Sequence, residues 1–192
     1  MKGIITLIVI TALTGVTGCA AQNKPTPAAT AAPTPAPTPT TAPIGTTNVA
    51  AVTWPTTPVT VTHQPPVPPI PVLEGVRYAT HDGYDRIVLD IPGALPGYKV
   101  KYVTELVQDG SGKKVTIPGK AFLLIVLNPA QAHHDDGTAT VTGTHRIDLP
   151  GITSYALISD YEGYVSFALG LSAKRGFRIG ELSNRIYFDI AV

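Results

Sequence analysis

The chain has 192 residues, of which 44% are hydrophobic and 14% charged, with 19 prolines, one cysteine and a formal charge of +1. That balance excludes a strongly basic nucleic-acid binder, a disulfide scaffold and a highly charged disordered tail. Fourteen of the prolines lie between Pro25 and Pro71 and five in the 121 residues that follow, so the average composition conceals unlike segments.

The first segment reads as an export signal. Lys2 precedes an uncharged run of fifteen residues, Ile4 to Gly18. A spanning helix needs about twenty such residues, whereas a shorter run suits the apolar core of a secretory signal, here 1–18, which is removed from the mature protein. The run ends in Val16-Thr17-Gly18-Cys19, which resembles the lipobox of bacterial lipoproteins, with Val16 where leucine is usual. The resemblance implies diacylglyceryl transfer to the Cys19 thiol and cleavage before it, leaving a lipid-anchored protein such as a palmitate-bearing lipoprotein. The expected location is then the extracytoplasmic face of the cell membrane. Each buried methylene contributes about 0.8 kcal/mol, so two acyl chains hold stably where one is marginal. A thiol committed to a thioether is no catalytic nucleophile. The rival reading is a chance cysteine beside an ordinary cleavage site.

Residues 19–71 read as a disordered spacer. From Pro25 to Pro71, 47 residues include 14 Pro, 13 Thr and 8 Ala, and no Asp, Glu, Lys or Arg lies between Lys24 and Glu74. Proline removes backbone donors and this composition offers no periodic apolar face, so the segment forms no core of its own. Repeats such as Pro33-Thr34-Pro35 favour polyproline II, and full extension would reach on the order of 140 Å. The stalk reading competes with a passive tether and with O-glycosylation of the Thr/Pro tract. Trp54, the only tryptophan, is incidental or docks on the folded part.

Residues 72–192 read as a single all-β domain, with 25 charged residues and 12 Tyr or Phe in 121. Arg86 to Ile91 places Ile87, Leu89 and Ile91 on one strand face, and Tyr98 to Val103 alternates around Lys99 and Lys101. Ala121 to Leu127 is apolar throughout, as in a strand buried on both faces. Further strands are expected at Val76–Thr80, Tyr155–Ser159, Tyr164–Leu169, Gly176–Ile179 and Ile186–Ile190. Turns are expected at His81-Asp82-Gly83, Asp109-Gly110-Ser111-Gly112, Pro118-Gly119, Asp136-Gly137 and Glu162-Gly163, where glycine supplies positive φ. An antiparallel sandwich or barrel follows.

One pattern recurs: Arg86-Ile87-Val88-Leu89-Asp90-Ile91 returns 99 residues later as Arg185-Ile186-Tyr187-Phe188-Asp189-Ile190. Arg and Asp four apart share a strand face but sit about 13 Å from one another, so each needs a cross-strand partner. These strands, with Tyr84-Asp85 before the first and Gly163 to Leu171 plus Gly176-Phe177-Arg178-Ile179 before the second, resemble the AMIN-like domain of bacterial envelope lipoproteins. The resemblance spans Glu74 to Ala191. It implies an antiparallel β-sandwich of two related sheets, which would account for the echo. It also implies a role in binding or targeting to cell-wall polymer, peptidoglycan or attached polysaccharide, with no catalytic residues and no cofactor.

His133-His134-Asp135-Asp136 offers four metal-ligand types in a row, but neighbouring strand residues point to opposite faces and metal sites draw ligands from separated positions, so a polar loop is expected. His81, Asp82 and His145, the last beside Arg146 in an expected strand edge, add no catalytic or metal spacing. Asp160 and Glu162 are two acids near a glycine turn. Lys174, Arg175 and Arg178 suit an anionic polymer or headgroups, or a solvated turn. Tyr84, Tyr98, Tyr102, Tyr155, Tyr161 and Tyr164 are candidate sugar platforms, although most tyrosines serve packing. The expected protein is a non-catalytic envelope binder contacting membrane and wall glycan. The competing readings are a module that positions another envelope protein and a metal-dependent hydrolase using His133 to Asp136.

Overall fold

A computed structural model describes residues 54–192, and the expected signal segment and Cys19 lie outside them. In chain order the strands are β1 (Val59–Val61), β2 (Gly75–His81), β3 (Tyr84–Asp90), β4 (Gly97–Val103), β5 (Leu106–Val107), β6 (Lys114–Val115), β7 (Ala121–Asn128), β8 (Thr144–Arg146), β9 (Ile152–Tyr161), β10 (Tyr164–Leu171), β11 (Phe177–Leu182) and β12 (Arg185–Ala191). They form a six-stranded sheet ordered β1-β4-β7-β10-β9-β8, a four-stranded sheet ordered β11-β12-β3-β2 and the β5-β6 hairpin, and every strand pairing is antiparallel.

Alternation builds the core. Ile87 and Leu89 of β3, Ile186, Phe188 and Ile190 of β12, Val100 of β4, Leu123, Ile125 and Leu127 of β7, and Phe167 and Leu169 of β10 are fully buried in one cluster. Burying an aliphatic or aromatic side chain of this size contributes about 1.5–3 kcal/mol relative to leaving it exposed, so these inward rows hold the sandwich closed. All eight expected strands are present. The β9–β10 connection has φ of 49° at Glu162 and 75° at Gly163, two consecutive left-handed residues that make the tight hairpin expected there.

The repeated motif lies within one sheet, because β3 and β12 are neighbours and pair Arg86 with Asp189 and Asp90 with Arg185. The Arg86 guanidinium donates to both Asp189 oxygens, at 2.6 and 2.9 Å. Asp90 is claimed more closely by Arg77 of β2, at 2.6 Å on each oxygen, and stands 4.0 Å from Arg185. The hydrogen bonds from Arg77 hold the Asp90 carboxyl below the usual carboxylate range. All four charges thus have cross-strand partners. The echo is a local two-fold between adjacent strands rather than one copy in each of two sheets.

A correction falls on the spacer. It was expected to run to Pro71, yet Trp54 to His63 lies along the domain. The Pro55 carbonyl accepts from Phe177 N at 2.8 Å, Val59–Val61 pairs with Tyr98–Val100 of β4, and His63 Nε2 lies 3.1 Å from Glu181. Prolines bar this segment from a central strand, but three β-branched residues between them can be added at an edge, where flanking prolines need donate nothing. Val59 and Val61 turn inward against the core and Thr60 turns out. We call Trp54–His63 the strap.

Outside the six-stranded sheet, the segment carrying β5 and β6 covers a second, smaller cluster of Leu106, Ile117, Ala156, Ile158 and Ala168. Pro118 lies so close to β10 that a Cβ on Gly170 would stand 1.8 Å from the Pro118 carbonyl oxygen and 2.4 Å from Ser154 Oγ. Gly170→Ala is expected to lift this segment from the sheet and lower stability by about 1–3 kcal/mol, read by urea denaturation.

Candidate functional site: a groove on the six-stranded sheet

The β5–β6 segment covers only part of the outer face of the six-stranded sheet. On β7, Phe122 and Leu124 pack against the second cluster, while Leu124 and Val126 also line an open groove of about 950 Å³. Ala121 to Leu127 is therefore apolar on both faces for two reasons: its inner row fills the core, and its outer row is the groove floor.

One wall is Lys99 and Lys101 of β4 with Pro58 to His63 of the strap and Gln64 and Pro65 beyond it. Both lysines are exposed, since Tyr98 and Val100 take the inward positions of the same strand. The other wall holds Tyr161 and Tyr164, paired across the β9–β10 hairpin, together with Asp109 at the tip of the β5–β6 hairpin. Ser166 Oγ donates to Asp109 Oδ2 at 2.6 Å, and Tyr161 lies against Gly110, where a Cβ would be 3.3 Å from the ring. Asn128 closes one end and donates from Nδ2 to the Gly163 carbonyl at 3.0 Å. Tyr161 and Tyr164 remain 49% and 47% exposed, so each presents ring surface as well as a hydroxyl. Such a site offers flat apolar contact to sugar rings, hydroxyl and amide groups to their substituents, and two ammonium groups to carboxylates.

The other candidate tyrosines serve elsewhere. Tyr98 is buried and donates to Glu181 at 2.7 Å; burial, and then the adjacent carboxylate, push its hydroxyl pKa up, so it stays protonated. Tyr155 is buried between His145 and Phe167, and Tyr102 donates to the Arg175 carbonyl. Tyr84 lies on the outer face of the four-stranded sheet, with His81 stacked at 4.8 Å, Trp54 at 6.0 Å and Arg86 over its ring at 5.4 Å. Trp54 therefore docks on the domain.

His133 to Asp136 does not converge. His133 Nδ1 contacts Asp160 at 2.5 Å, His134 Nε2 lies 3.6 Å from Glu74, and Asp136 accepts from Thr138 N at 2.8 Å, an interaction that holds its carboxyl below the usual range. Among the described residues, no three His, Cys, Asp or Glu side chains are grouped to hold a metal ion. Asp160 also accepts from Ala132 N, which ties it into the loop, and Glu162 stands in the hairpin turn.

Sequence reasoning missed Lys99, Lys101, Asn128 and Ser166 as site residues. The alternation of lysine with inward Tyr98 and Val100 carried the signal for the first two, whereas Asn128 and Ser166 enter only through the loops that meet them.

An antiparallel β-sandwich with one open, tyrosine-flanked groove on a sheet face defines a small binding module. Residues 71–192 match the family model of the AMIN-like domain, and the chain belongs to that family. AMIN-like domains are non-catalytic binding domains associated with the cell envelope. No curated protein and no solved structure matches the chain.

Proposed function

We propose that the protein is a non-catalytic lipoprotein of the cell envelope, anchored through Cys19 on the extracytoplasmic face of the membrane, whose β domain binds cell-wall polymer in the groove. The observation that supports the binding site is the pair of half-exposed tyrosines facing Lys99 and Lys101 across an apolar floor. Peptidoglycan and attached polysaccharides offer sugar rings and, in many cases, carboxylates, and this wall chemistry is complementary to both. Co-sedimentation of the full chain with purified sacculi tests the reading: retention in the pellet supports it. Recovery of all the protein in the supernatant, where a known wall binder pellets, refutes it.

The anchor has its own test. Cys19→Ala is expected to release the protein from the membrane fraction or to leave an unprocessed precursor. Lipid label retained by that variant contradicts attachment at Cys19.

A further inference from the structure

The connection from β10 to β11 carries cations that the rest of the fold does not neutralise. Arg77, Arg86 and Arg185 each have a carboxylate within 4.0 Å, but Lys174, Arg175 and Arg178 form no ion pair among the described residues. Asp189, the carboxylate opposite Arg178 in the β11–β12 register, has both oxygens occupied by Nε and Nη2 of Arg86.

Aromatic rings position these cations without cancelling them. The Arg178 guanidinium lies 3.8 Å from the centroid of Trp54, and Lys174 Nζ lies 5.2 Å from that of Tyr102. Tyr102 also fixes the loop backbone, since its hydroxyl donates to the Arg175 carbonyl and accepts from Arg175 N at 3.1 Å. Gly176 lets the strap approach, because a Cβ there would stand 2.1 Å from the Trp54 carbonyl oxygen.

The same loop holds both unsatisfied groups. Among the described residues, the side-chain polar atoms that are buried without a hydrogen-bond partner are Ser172 Oγ and Arg175 Nε. Leaving a donor buried and unpaired is destabilising, more so for a charged group, and an acceptor supplied by a ligand would relieve it. Three cations, one of them with an unpaired Nε, and the unpaired Ser172 hydroxyl lie within seven residues and lack one complement, an anion with several acceptor oxygens.

We propose that Ser172–Arg178 is an oxyanion site for phosphate-class groups, drawing on Ser172, Lys174, Arg175 and Arg178. It lies outside the groove and does not rest on the wall-binding reading. A dissolved phosphate, a polymer phosphodiester and a lipid headgroup all present this chemistry.

The test uses the isotope-labelled full chain in the Cys19→Ala background, which removes any contribution from an acyl anchor. Inorganic phosphate is expected to shift the amide resonances of Ser172 to Arg178 with saturation, while chloride at equal ionic strength does not. Lys174→Gln with Arg178→Gln should weaken the affinity about tenfold or more, as loss of charge-assisted contacts predicts. Lys174→Gln alone, which leaves the Trp54 contact intact, should give a smaller loss in the same direction. Absence of a saturable shift in this loop, or equal affinity in the double variant, overturns the proposal. Vesicles then identify the source. Retention of the unsubstituted loop on phosphatidylglycerol but not phosphatidylcholine, lost in the double variant, assigns the phosphate to a headgroup. Equal behaviour on both vesicles, with the phosphate shifts intact, assigns it to soluble or polymer-borne phosphate.

Discussion

Asp85→Ala is expected to lower the stability of the domain by about 3 kcal/mol or more, a fall of about 10 °C in the thermal midpoint. Asp85 is the second residue of β3 in the four-stranded sheet, yet its carboxyl is fully buried and reaches the other sheet. Oδ2 accepts from Gly151 N at 2.5 Å and from Ile152 N at 3.1 Å, at the start of β9, while Oδ1 accepts from Thr80 Oγ1 at 2.9 Å. Removing the carboxyl leaves the two buried backbone donors unpaired in a space closed to water, and each such loss costs more than the net worth of the bond, whereas the exposed Thr80 hydroxyl can turn to solvent. Asp85→Asn keeps one oxygen for the backbone pair and is expected to lose about half as much. Chemical denaturation measures both, and an Asp85→Ala domain as stable as the parent would show that the two sheets are not tied here.

Deleting 54–71, so that the folded part begins at Val72, is expected to cost on the order of 3 kcal/mol and to make the domain self-associate. The family match begins at residue 71, but the folded unit begins earlier. Without the strap, β4 becomes a bare edge, Val59 and Val61 no longer cover the core, and Tyr98 and Glu181 lose His63 as a neighbour. An uncovered, regular edge is a template for a second strand, so the truncated domain should sediment as a dimer or larger species while the longer form remains monomeric. The same deletion removes one groove wall and should weaken sacculus binding along with stability. Thermal unfolding and sedimentation velocity read the first two effects, and a truncated domain that is monomeric and equally stable would make the strap dispensable.

The parts of this protein that were legible in its sequence are those set by period and turn chemistry. Strands β3, β4, β7, β9, β10 and β12 alternate or run apolar over six residues or more, and Glu162-Gly163 marks its hairpin plainly. The charged pairs of the echo were expected to find partners across strands, and Arg86 with Asp189 does so. Strands β1, β5 and β6 went unread because they are two or three residues long and borrow their order from neighbours: Val59-Thr60-Val61 stands among prolines. Tyrosine identity alone does not separate a packing residue from a platform. Alternation with Lys99 and Lys101 turns Tyr98 inward, whereas Tyr164 stands at a groove only because of the sheet order, with the β5–β6 segment covering part of a face.

The groove as the wall-binding surface is tested most directly by comparing two exposed-tyrosine variants on purified sacculi. Tyr161→Ala with Tyr164→Ala removes both rings from the groove, whereas Tyr78→Ala removes a ring of similar exposure, 46%, from β2 in the other sheet. Each lost aromatic contact is worth about 1 kcal/mol or more, so the groove variant should bind at least about tenfold more weakly while Tyr78→Ala binds like the parent. Equal retention of all three proteins at subsaturating sacculus concentrations would contradict the assignment of the groove as the binding site.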